Sequence, residues 1–229
     1  MVFYQIKLAK LKKFSDFCAR FQTNMNQSEE YDARILAGAA ELFRIYGIKA
    51  VTMDTIANHL GISKRTIYER FKDKDEMLFA VLDSMIMKQK ERIDNVLNSS
   101  PNVIAAIFTL LTMGREHAAS LNPLINSDLR KYHSGVLLRI REKCEDPDYE
   151  GSLKMIVKGK EQGLFRPEVN NEIVSRFVSG LSSMISDGRL FPPEMFLQRD
   201  LMKNVIINFM RGISTSEGIK IIDEMEPGL

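Results

Sequence analysis

The sequence predicts an all-α protein: a small N-terminal helical module containing a helix-turn-helix, followed by a larger C-terminal helical domain. Three observations lead there. Apolar residues recur at spacings of three and four along almost the whole chain, and strand-like alternation is nearly absent. Proline and glycine fall mostly between the periodic segments; Pro101, Pro123, Pro147, Pro167 and Pro192 mark breaks, because proline cannot continue a helix.

A chain of 229 residues can bury a sizeable core as one large domain or two small ones. The first expected helix covers 33–46, with Ile35, Leu36, Ala39, Ala40, Phe43 and Tyr46 on one side and Gly47 closing it. Two short helices follow over 53–60 and 64–71, and a long one over 74–97 ends before Ser99, Ser100 and Pro101. Further helical patterns cover 102–119, 123–145 with a break near Lys131, 150–163, 170–187 and 194–213. The organisation is therefore an N-terminal extension over 1–24, a helix-turn-helix module over 25–76, a helical domain over 77–214 and a C-terminal tail over 215–229.

The net charge of +2 excludes no partner, but its distribution is uneven. Residues 63–74 carry five basic groups against Glu69 and Asp73, a local basic patch of the kind nucleic-acid-binding modules present. Residues 1–24 carry five against Asp16. That segment reads as a basic amphipathic helix able to touch DNA or an anionic membrane, as a disordered arm, or as a stretch preceding a true start at Met25.

Cys18 and Cys144 lie too far apart for a disulfide framework or a cysteine zinc site, which fits a reducing cytoplasm. No apolar run approaches a membrane span and no signal-peptide pattern is present, so a cytoplasmic protein without a membrane partner is expected. His59, His117 and His133 lack metal-ligand spacing, and no phosphate loop, nucleophile elbow or defensible carboxylate pair is found. The expectation is a non-enzyme with no catalytic residue, metal or cofactor.

The constellation that carries function lies between Thr52 and Glu76. Thr52 reads as an N-cap, with Asp54 favourably placed in the first turn. Ile56, Ala57 and Leu60 form a short apolar side, Gly61 permits a sharp turn, and Ser63 caps the next helix. Ala57, Gly61 and Ile67 are spaced four and then six apart, supplying the small residue, turn glycine and branched anchor of a helix-turn-helix. With Ile67 and Phe71 turned inward, Lys64, Arg65, Thr66, Glu69 and Arg70 face mostly outward on a helix suited to a major groove. Asp73 and Glu76 read as a capping box for the long helix. Lys74 in its first turn joins free backbone amides as a site for an anion such as phosphate.

Residues 34–78, RILAGAAELFRIYGIKAVTMDTIANHLGISKRTIYERFKDKDEML, resemble the DNA-binding domain of the TetR/AcrR family of transcriptional regulators, without a gap through TIANHLGISKRTIYERFKDK. The resemblance implies a homodimer in which a three-helix module binds DNA and the C-terminal helical domain binds ligand and dimerises. By matching position, Thr52, Ser63, Lys64, Thr66, Tyr68 and Lys74 would contact DNA, Tyr68 and Lys74 mainly at phosphate. Arg65 stands where many members have glycine, and Glu69 and Arg70 where many have an aromatic residue and a histidine. Arg65 and Arg70 are candidates for reading guanine edges, a contact that discriminates by about 1–3 kcal/mol, or alternatively for phosphate contact.

Residues 159–185, GKEQGLFRPEVNNEIVSRFVSGLSSMI, resemble the family's turn and helix before the dimer interface. Ile173, Phe177, Leu181 and Met184 share one side of that helix, and Ser179, Gly180, Ser182 and Ser183 would let a neighbour approach closely. Leu201, Met202, Val205, Ile206, Phe209 and Met210 of the last long helix cover too wide an arc for one-sided burial. Paired about a two-fold axis, the two helices would make a four-helix bundle, with Gly180, Leu181, Met202, Val205, Ile206 and Phe209 as interface candidates; the alternative is that both are interior helices. The thirteen methionines suit an adaptable apolar cavity. Phe108, Met113, His117, Tyr132, Met155 and Met184 are the pocket candidates, with ordinary core as the alternative.

The function expected is a homodimeric repressor that binds a pseudo-palindromic double-stranded operator and is released by a largely apolar small-molecule effector. An activator or effector-independent regulator of the same fold is the alternative. A different class, a helical interaction protein with a membrane-associating basic N-terminus, is the more distant one.

Overall fold

The computed structural model describes residues 30–143, 147–187, 190–192 and 195–228, so the expectations for residues 1–24 lie outside the described residues. Helix α1 covers 30–46, and Gly47 ends it at φ +80 with its amide on the Phe43 carbonyl (2.9 Å). Ile35, Ala39, Leu42 and Phe43 are buried, but Tyr46, expected on that side, is exposed. Helix α2 is Met53–Leu60 and α3 is Lys64–Tyr68. The latter is shorter than the expected 64–71: the Arg70 amide drops to the Ile67 carbonyl in a tighter turn, and Asp73 must be extended to cap α4.

Helices α4 (Lys74–Ser99) and α5 (Val103–Ser120) follow. The 123–145 pattern is two helices, α6 (Ile125–Tyr132) and α7 (Ser134–Lys143), broken at His133. Helix α8 is Pro147–Glu161 and α9 is Asn171–Asp187. The last expected helix is a continuous run of three pieces: α10 (Gln198–Leu201), a π-helical segment (Met202–Ile207) and α11 (Asn208–Ile213). The π segment accounts for the wide apolar arc. Residues five apart share its face, so Met202 and Ile207 are both buried.

The stretch expected as a tail over 215–229 is instead α12 (Ser216–Met225) followed by a 3₁₀ turn (Glu226–Gly228). Thr215 caps α12 by accepting the Gly218 amide, and Ile222 is fully buried. Gly218 lies so close to the Leu164 carbonyl that a Cβ would stand 2.3 Å from its oxygen. Arg211 binds Asp223 (2.7 Å) and Glu226, and Lys203 adds a contact to Glu226 (3.1 Å). The Arg211 and Lys203 hydrogen bonds hold the Glu226 carboxyl below its ordinary value. A depressed carboxylate stabilises the fold above its unfolded pKa and loses that contribution as pH falls through the folded one. A Glu226→Gln protein is therefore expected to unfold at lower urea than wild type at neutral pH, with the difference closing as pH falls below the ordinary carboxylate range.

Two cores result. Ile35, Phe43, Ile48, Ile56, Ile67, Met77 and Leu78 form the N-terminal one, joined by Leu129 of α6 and Val136 of α7. Ile93, Val103, Ile104, Phe108, Ile156, Phe165, Ile207 and Ile222 form the C-terminal one. Helix α4 enters the first with its N-terminal half and the second with its C-terminal half. Helix α6 is fastened to the module: buried Asp128 accepts the Lys49 amide (2.8 Å), and just before α6 the Asn122 side chain donates to the Ile45 carbonyl (3.0 Å). Among the described residues there is no strand, only an isolated antiparallel bridge, Phe165 with Ser214.

Candidate nucleic-acid interface and apolar cavity

The helix-turn-helix is built by local caps. The Thr52 hydroxyl accepts the Thr55 amide (3.1 Å) while the Thr55 hydroxyl accepts the Thr52 amide (3.4 Å), a reciprocal box that starts α2. Gly61 takes φ +64 with nothing within 4 Å of where a Cβ would sit, so the turn demands glycine for its backbone and not for space. The Ser63 hydroxyl accepts the Thr66 amide (3.1 Å) and starts α3. Asp73 accepts the Glu76 amide (2.9 Å), while Glu76 reaches back to the Lys72 amide (2.6 Å), one residue before the partner a capping box would use.

Ile67 and Phe71 are buried and anchor α3, as their spacing implied. Thr52, Ser63, Lys64, Arg65, Tyr68 and Arg70 are exposed and Thr66 is half-buried, so all but Thr52, which caps α2, lie on α3 and the residues flanking it. Each basic group has an acidic neighbour. Lys64 pairs with Asp54 (2.7 Å), which raises its pKa, and lies over the Tyr68 ring. Arg65 pairs with Glu69 (2.9 Å) and Arg70 with Asp32 of α1 (3.0 Å). Arg65 projects furthest, with its side chain 88% exposed; the tie to Asp32 draws Arg70 toward α1. Lys74 is half-buried and donates to the Ile48 carbonyl (2.6 Å), and burial lowers its pKa. It braces the loop that leads into Thr52, and an ammonium group keeps two further donors.

Residues 35–81 match the family of bacterial regulatory proteins described as the tetR family. YvaF, an HTH-type transcriptional regulator of Bacillus subtilis, is 27% identical over 188 residues, spanning 81% of this chain and 97% of that protein. The N-terminal module belongs to the TetR family. The HTH-type transcriptional repressor KstR2 of Mycobacterium tuberculosis is 24% identical over 148 residues, covering 63% of this chain and 74% of that protein. A transcriptional regulator from Cytophaga hutchinsonii shares the fold at TM-score 0.63 and 23% identity, over 80% of this chain and 98% of that one.

The C-terminal domain holds a cavity of ≈ 200 Å³ bordered by α4, α5, α8, α9, the π segment and α11. Ile107, Leu110 and Leu111 of α5 face Met155 and Ile156 of α8, with Val178 and Leu181 of α9 and Ile206 and Phe209 completing the wall. Of the six pocket candidates, Met155 lines this cavity. Phe108 is buried in the C-terminal core outside the lining, and Met113 is half-buried on α5. His117 and Met184 are exposed on α5 and α9. Tyr132 stands on α6 against the DNA-binding module, where its hydroxyl accepts from Lys49 (3.3 Å).

The interface candidates divide similarly. Leu181, Ile206 and Phe209 line the cavity, Met202 is buried, Val205 is half-buried and Gly180 is exposed. The outward apolar face of α9 is formed by Ile173, Phe177 and Met184, with the Phe177 ring 5.1 Å from that of Phe209. The sequence reading missed Ile107, Leu110 and Leu111. Their signal was present: VIAAIFTLL is apolar on nearly every side, which marks a helix with neighbours all round it.

Proposed function

We propose that the protein is a cytoplasmic homodimeric repressor that binds a pseudo-palindromic double-stranded operator and leaves it when a largely apolar small molecule occupies the C-terminal cavity. The observation that carries this reading is the exposed basic and hydroxyl face of α3, presented by buried Ile67 and Phe71, on a molecule with an apolar cavity in its second core. A second copy docks on the exposed Ile173, Phe177 and Met184 face of α9, where Gly180 leaves room for close approach. The dimer sets its two α3 helices about 34 Å apart, one DNA turn. The repressor named among the relatives supports the sign of the regulation.

Thr52, Ser63 and Tyr68 would position the module on phosphate and the groove edge, with Lys64 and Arg65 exchanging Asp54 and Glu69 for DNA. Ligand acts by preferring one arrangement of α4, which belongs to both cores, and differential affinity alone shifts the population. The test is binding to DNA flanking the protein's own gene, at two salt concentrations and against random competitor. Tight, competitor-resistant binding of a dimer is expected. Weak binding that is equal on all DNA and lost with salt would reject it.

Arg65 supplies a sharper prediction. An Arg65→Gly protein is expected to lose about 1–3 kcal/mol of discrimination at one base position per half-site, read with singly substituted operators. Unchanged preference at every position would assign Arg65 to phosphate.

A further inference from the structure

We infer that the cavity selects an uncharged, ring-sized apolar molecule carrying one hydrogen-bonding group, and that the Ser152 hydroxyl receives that group. This rests on the ligand-responsive reading above and names the class of ligand.

Among the described residues the lining contains no Asp, Glu, Lys, Arg or His. The charges nearest along α4 and α8 are paired across those helices, Lys90 with Glu150 (2.7 Å) and Lys154 with Asp94 (2.6 Å). A charged ligand would therefore surrender its hydration and meet no counter-charge in the wall, which is strongly unfavourable. Among the described residues two polar side chains line the cavity, Gln89 of α4 and Ser152 of α8. Gln89 is exposed, so solvent already serves its amide. Ser152 is 8% exposed, so its hydroxyl stands on the wall largely withdrawn from bulk solvent. A buried hydroxyl on an apolar wall rewards a ligand that brings a donor or acceptor to it, and penalises one that covers it with hydrocarbon.

Size narrows the class further. An apolar protein cavity of about 150 Å³ holds benzene. At ≈ 200 Å³ this one accommodates a ring with a small branched substituent. Gly151 limits growth on the α8 side, since its backbone approaches Ile93 so closely that a Cβ would stand 2.9 Å from it.

The experiment uses the full chain and three probes of similar shape: 4-isopropylphenol, p-cymene and 4-isopropylbenzoate, titrated calorimetrically at neutral pH. The phenol is expected to bind about fivefold tighter than p-cymene, the worth of one hydrogen bond. The benzoate should bind more than about a hundredfold weaker than the phenol. A Ser152→Ala protein should bind p-cymene as wild type does and lose the phenol's advantage. Benzoate binding as tight as the phenol, an unchanged phenol-to-cymene ratio in Ser152→Ala, or no binding of any probe would each overturn the inference. Adding the phenol to the operator complex separates the two readings: binding with the expected selectivity but no change in DNA affinity would uphold the ligand class and reject the effector role.

Discussion

An Ile67→Ala protein is expected to lose operator binding while its C-terminal domain stays folded. Ile67 is fully buried at the contact of α3 with the rest of the module, and truncating such a residue costs about 2–5 kcal/mol. Helix α3 is five residues long, far too short to be stable by itself, so its place depends on Ile67 and Phe71. Removing that anchor leaves Lys64, Arg65 and Tyr68 on a segment with no fixed relation to Thr52 and α2. The C-terminal core contains none of these residues. Operator titration combined with urea unfolding checks both halves. Wild-type affinity would show that α3 is positioned by something other than Ile67, and collapse of the whole chain would show that the two cores are not separable.

A Phe165→Ala protein is expected to show the converse, a loss of about 3–5 kcal/mol concentrated in the C-terminal domain. The Phe165 ring is buried against α8 and lines the cavity, and its backbone bridges to Ser214 between α11 and α12. One residue, by its ring and its backbone, thus ties the α8–α9 turn to the segment between α11 and α12. Gly159 is its counterpart: a Cβ there would stand 2.1 Å from the ring, so Gly159→Ala must displace the ring and should cost about 1–3 kcal/mol by overpacking. Urea unfolding of both variants checks this. A neutral Gly159→Ala would mean that the ring has room to move, and the expected loss in Phe165→Ala would shrink with it.

The helix-turn-helix was legible because its instructions are local. Thr52 and Thr55, Ser63 and Thr66, and Asp73 and Glu76 are each three residues apart, and each pair makes the hydrogen bond that its spacing implies. Gly61 takes the positive φ that its place in the turn required. Ile67 and Phe71, four apart, are both buried. The α12 helix was missed for the opposite reason. SEGIKIIDEM carries Ile219 and Ile222 at helical spacing, but ten residues are too few to be stable alone. What makes it a helix is burial of Ile222, the Gly218 contact with Leu164, and Arg211 holding Asp223 and Glu226.

The cavity shows the same division most clearly. Met155 and Met184 look alike as methionines on helical faces, yet one lines the cavity and the other is exposed on α9. Tyr132 and Phe108 also read as pocket aromatics, but α6 packs beneath the DNA-binding module and Phe108 turns into the core. The sequence by itself determined most of the helices before residue 214, the N-caps of α2, α3 and α4, the helix-turn-helix and the outward side chains of α3, because each depends on residues within one or two turns. Only the tertiary structure decided the cavity wall, the place of α6, the docking of α12 and the position of the Ser152 hydroxyl on that wall. Those depend on which faces of helices far apart in the chain meet, and apolar periodicity specifies that a face is buried without specifying against what.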